Sequence, residues 1–135
     1  MRDVDLVYAP MNWSTKQWVA IEINLKTGQI LILDPLTDEG KIQKLMKPIM
    51  EMLPMMVENL VQKGEVRYPP RKSFTFERIK KVSQNERTGD WGPLTVKFIE
   101  LHAQGMNLAG FDDEMVDEIR MKYAVDLYEE FVVTL

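Results

Sequence analysis

The 135 residues of this chain include no cysteine. That absence excludes disulfides, thiolate zinc sites and any thiol nucleophile supplied by the chain itself. Histidine occurs once, at His102, which rules out a histidine-rich metal site, and neither a metal nor a cofactor is expected. No apolar run approaches the length of a membrane span, and Met1-Arg2-Asp3-Val4-Asp5 is too acidic to open a signal peptide. The expectation is a soluble intracellular protein, nuclear or cytoplasmic, with no membrane partner. A net charge of −4 supplies no overall basic field, so no nucleic-acid partner is expected either. The basic residues between Arg67 and Lys81 are a local exception, read as charge guarding an edge strand.

What is present is an ordinary globular balance, 45% hydrophobic and 28% charged, enough for one core in one domain spanning residues 1–135. Val4 to Tyr8 alternates and predicts a short strand before Pro10. Gln17 to Leu25 and the wholly apolar Ile30-Leu31-Ile32-Leu33, joined through Thr27-Gly28, predict an antiparallel hairpin. The second of these strands has no polar interruption and is expected to be buried on both faces, ending at Asp34-Pro35. Thr37 to Lys63 has helical composition, with Pro48 and Pro54 predicting a break or kink and Gly64 a stop. Its methionines (Met46, Met50, Met52, Met55, Met56) could form a sticky partner surface, but read better as adaptable core filler.

Ser73 to Ile79 alternates at strand period and predicts an edge strand, followed by a polar loop from Ser83 to Asp90. Leu94, Phe98 and Leu101 recur at helical spacing, with Pro93 in the first turn and Gly105 placed to stop the helix. The last helix opens on Asp112-Asp113-Glu114, carboxylates suited to the positive end of a helix dipole. Its apolar face is expected to be Val116, Ile119, Tyr123, Leu127 and Phe131. Strand, hairpin, helix, strand, helix, helix is the order of an α+β domain.

Several segments, taken in order, resemble the ubiquitin-like-protein (SUMO) cysteine protease family. They are Val7-Tyr8-Ala9-Pro10, Gln17-Trp18-Val19-Ala20-Ile21, Leu33-Asp34-Pro35-Leu36, Gln84-Asn85 and Gly89-Asp90-Trp91-Gly92-Pro93. The tail, with Arg120, Tyr123, Ala124, Asp126 and Tyr128, looks like the plant, transposon-associated branch of that family. The resemblance implies an α+β cysteine-protease core, adenovirus-proteinase-like, with a central mostly antiparallel sheet flanked by helices. It also implies that an N-terminal helical lobe of the family's catalytic domain is missing, which would leave apolar surface exposed and favour self-association or another protein partner.

Carried over residue by residue, the resemblance makes Asp34, seventeen residues after Gln17, the acid that orients the catalytic imidazole. Gln84, or Asn85 beside it, matches the amide that stabilises the oxyanion, and Trp18 the tryptophan that covers the tunnel for the substrate's Gly-Gly tail. Gln17 stands where the family has the histidine base, and Trp91 where it has the cysteine nucleophile. Glutamine cannot act as a base near neutral pH, and an indole is not a nucleophile. His102 is eleven residues beyond Trp91, about 16 Å along a helix at ~1.5 Å per residue, and is expected to be a half-buried face residue. Thr95 has a hydroxyl but no evident base. The expectation is a pseudoprotease that still binds SUMO or another ubiquitin-like protein; the alternative is an inert or regulatory interaction fragment, with an active peptidase using relocated residues the least favoured.

Overall fold

The computed structural model describes residues 4–14, 17–33, 39–65, 73–79 and 91–133. Strands β1 (Leu6–Ser14), β2 (Gln17–Asn24), β3 (Gln29–Leu33) and β4 (Thr75–Arg78) form one sheet in that order. β1, β2 and β3 pair antiparallel, and β4 joins β3 in parallel. Three helices follow the same chain order: α1 (Glu39–Gln62), α2 (Trp91–Ala103) and α3 (Asp113–Tyr128), the last running into a π-helical turn at Glu129–Val133. This is the mostly antiparallel α+β arrangement expected from the sequence.

The hairpin turn is made locally. Asn24 Oδ1 accepts from the backbone N–H groups of Lys26 and Thr27, and Gly28, at φ 74°, donates back to the Asn24 carbonyl at 2.9 Å. Only glycine enters that left-handed region without penalty. β3 is buried at Ile30 and Ile32 on one face and at Leu33 on the other, with Leu31 half-buried, so the burial on both faces expected from its unbroken apolar sequence is met in part. Ile30 and Ile32 pack toward α1, Leu33 toward α2.

β1 is longer than its sequence suggested and passes straight through Pro10, which sits opposite Ala20. β1 is an edge strand, where a residue without an N–H costs no ladder bond if it faces outward. The break expected in α1 is also absent. A single helix of 24 residues holds both Pro48 and Pro54. Ile42, Met46, Ile49, Leu53 and Val57 form one continuous buried stripe against Ile21, Ile23, Ile30 and Ile32. At roughly 1.5–3 kcal/mol per buried side chain, that stripe outweighs the two lost helical hydrogen bonds.

The methionines of α1 divide. Met46 is fully buried and Met50 packs at the core's margin, but Met52, Met55 and Met56 are exposed, so the core-filler reading holds for two of the five.

α2 covers the other face of the sheet, with Leu94 and Phe98 against Ala20 and Leu33. It ends as expected at Gly105 (φ 70°), where Met106 N–H reaches the Leu101 carbonyl and Gly105 N–H the His102 carbonyl. That pair of bonds is a Schellman stop. α3 is capped by Asp112, whose Oδ1 accepts from Met115 N–H at 2.8 Å. Of its expected apolar face, Val116 is buried and Ile119 and Tyr123 are half-buried, whereas Leu127 and Phe131 are exposed. The face leaves its support after Tyr123.

Candidate functional site

β2 and α2 position the residues the sequence singled out. Gln17 is the first residue of β2, opposite Ser14, where the ladder with β1 shifts register after Asn12. Trp18 follows it, paired with Asn12 and 41% exposed. β3 ends at Leu33, opposite Ala20, so the chain leaves the sheet at the end where β2 begins. Trp91 is the first residue of α2, and Leu94, one turn in, packs in the cluster that holds Ala20 and Leu33. The start of α2 therefore lies toward the Gln17 end of β2. Asp34, Gln84, Asn85 and the indole of Trp91 lie outside the described residues, so their convergence with Gln17 is not part of this geometry.

A Cβ at Gly92 would meet nothing within 4 Å. Thr95 is buried, at 3% exposed. Among the described residues, no group of three or more His, Cys, Asp or Glu side chains could hold a metal ion, and no helix is long and apolar enough to cross a membrane. A shallow hollow of about 180 Å³, lined by Ile42, Gln43, Phe76 and Arg78, opens on the α1 side of the sheet and contains none of the predicted site residues.

The opposite end of α2 holds a polar cluster that the sequence reading missed. His102 Nδ1 lies 3.0 Å from Glu22 Oε2 and 2.8 Å from the Tyr8 hydroxyl, and that hydroxyl donates to the same carboxylate oxygen at 3.0 Å. The tyrosine has one proton, already directed at Glu22. A bare Nδ1 would set its lone pair against the carboxylate, whereas a proton on Nδ1 faces both the carboxylate and the phenol oxygen. Glu22 is buried at 7% exposure, and the two donors give its charge the partners that burial demands.

Burial, with the Glu22 bond and charge adding to it, pushes the Tyr8 phenol up to about 12. Tyr123 donates to Glu100 Oε2 at 2.9 Å, which lowers the Glu100 carboxyl; burial and that bond raise the phenol. A signal for the Tyr8–Glu22–His102 cluster did exist. Glu22 is the one charged residue between Trp18 and Leu25, in a strand otherwise built for burial. What no local pattern reveals is its partner, on a helix far along the chain. The half-buried His102 expected from spacing is found, remote from the start of α2.

Comparison with known proteins gives the chain its family. The family model for the Ulp1 protease family, C-terminal catalytic domain, matches residues 1–135. The chain belongs to the Ulp1 protease family. No curated protein matches it.

Among solved structures, the C-terminal Ulp1 protease domain in complex with Smt3, the yeast ortholog of SUMO, superposes with a TM-score of 0.59 at 16% identity, over 87% of this chain and 49% of that one. The SUMO protease Ulp1 with its catalytic cysteine oxidised to a sulfonic acid gives 0.60 at 15% identity, over 89% and 52%. The same protease in its sulfinic acid form gives 0.58 at 17%, over 90% and 51%. The chain thus has the Ulp1 catalytic-domain fold and spans about half the length of these structures.

Proposed function

We propose that this chain is a SUMO-protease-like domain without peptidase activity that keeps the capacity to bind a ubiquitin-like protein. One observation carries the first half of the reading: a chain that belongs to a cysteine-protease family contains no cysteine. Thiolate attack at a helix start, with proton transfer to an imidazole oriented by a carboxylate, needs a thiol, which the chain lacks. It also needs an imidazole near that thiol, whereas the one imidazole, His102, sits at the far end of α2. Trp91 occupies the nucleophile's place and Gln17 the base's, while Asp34 as orienting acid and Gln84 as oxyanion amide are carried over from the family pattern.

Support for binding comes from the relative bound to Smt3 and from the exposure of Trp18 beside Gln17. An exposed indole is the kind of rigid amphipathic surface that interfaces use. A fluorogenic SUMO or ubiquitin C-terminal substrate is expected to show no turnover, and titration with SUMO to show saturable binding weakened by Trp18→Ala. Turnover above buffer would sink the first half; no binding by any ubiquitin-like protein would sink the second. In that case the runner-up stands, a module that acts only by packing on protein partners. The exposed methionines of α1 and the exposed apolar residues of α3 favour that second reading.

A further inference from the structure

α3 has two apolar sides, and only one of them is used. Val116 is buried in the cluster with Leu94 and Phe98, and Tyr123 is tied to Glu100 on α2. Met121, Val125 and Tyr128 lie on the other side. At about 100° per residue, their mean direction is close to half a turn from that of Val116, Ile119 and Tyr123. Val132, in the π-helical turn, continues the line four residues after Tyr128. All four are more than half exposed.

Steps of four, three and four residues make the seam of a two-helix coiled coil. A helix that is apolar on two sides is one meant to be covered on two sides. Left uncovered, its last turns are marginal in water.

The charge pattern indicates what covers it. Arg120 and Lys122 precede Val125, and Asp126, Glu129 and Glu130 follow it. Lys122 and Glu129 flank the seam on the same side, one heptad apart. Two copies running antiparallel about a two-fold axis near Val125 set each Lys122 opposite the other's Glu129. Lys122 already contacts Asp126 at 2.6 Å in its own helix, but an ammonium has three protons and can serve both carboxylates.

We propose that the outward face of α3 is the interface between two copies of this chain, packed antiparallel about a two-fold axis near Val125. The contact is isologous, so one complementary pattern is used twice. Its short seam places it among small, concentration-dependent interfaces.

Sedimentation of the 135-residue chain across the micromolar range is expected to show the average mass rising from monomer toward dimer. Lys122→Glu and Glu129→Lys each bring like charges together across the axis and should weaken the dimer by about tenfold or more. The double variant K122E/E129K exchanges the signs and should restore it. Because the chain has no cysteine, V125C supplies an independent readout. Mild oxidation should link V125C chains into dimers far faster than E58C chains, which carry the thiol on an exposed position of α1. A monomer at every concentration overturns the proposal. So does a dimer indifferent to both single charge changes, or equal cross-linking of V125C and E58C, since each places the contact elsewhere.

Discussion

The two ends of α2 make opposite use of polar chemistry. In the proposed reading, Trp91 at its start and Gln17 at the head of β2 stand in the places of the family's nucleophile and base. Its end holds the chain's one imidazole, already engaged by a buried carboxylate and a phenol. There the imidazole joins α2 to β1 and β2 as a strut. The chain's one imidazole is thus held by structure at the far end of α2 from Trp91.

The largest effect that can break this contrast is at the strut. His102→Ala leaves Glu22 buried with one donor, and stability should fall by about 2–3 kcal/mol in urea or thermal unfolding. A loss under about 0.5 kcal/mol would mean that the cluster is a surface contact. A smaller effect follows from Tyr8. Its phenol is raised from 10.0 to about 12, so the folded state holds that proton more tightly than the unfolded chain does. The contribution is fully present below about pH 10 and is lost as pH rises toward 12, where the unfolded state binds fewer protons. Urea midpoints measured from pH 9 to 11 should fall less in Tyr8→Phe than in the parent chain. An identical slope would detach Tyr8 from the strut.

The smallest effect belongs to the other end of the helix. Nothing crowds a Cβ at Gly92, so Gly92→Ala should be neutral or stabilising by up to about 0.5 kcal/mol in the same assay. A loss above about 1 kcal/mol would show that the start of α2 is as tightly constrained as its end.

Local rules made much of the fold legible. The hairpin at Gly28, the Gly105 stop, the Asp112 cap and the largely buried β3 all follow from a few adjacent residues. They failed where tertiary packing overrides propensity. Pro10 is absorbed by an edge strand, and Pro48 and Pro54 by a helix whose buried stripe holds it together. Leu127 and Phe131 matched the apolar period of α3, but periodicity says which residues share a side, not where the supporting element ends. For the site, the motif order placed Trp91 at a helix start and Gln17 at a strand start. The Tyr8–Glu22–His102 cluster escaped because its members are brought together only by the sheet and the helix that crosses it.

The central claim is that the heads of β2 and α2 are a catalytic site emptied of its two reacting groups. A SUMO probe with an electrophilic C-terminus tests it most directly, since it needs one covalent event and no turnover. Applied to the parent chain, Trp91→Cys, Gln17→His and the double variant, it should leave the first and third unlabelled. Trp91→Cys should be labelled slowly, its thiol aided only by the helix start. The double variant, with an imidazole to take the proton, should be labelled clearly faster. Equal labelling of Trp91→Cys with and without the histidine, or any labelling of the parent chain, would contradict the account.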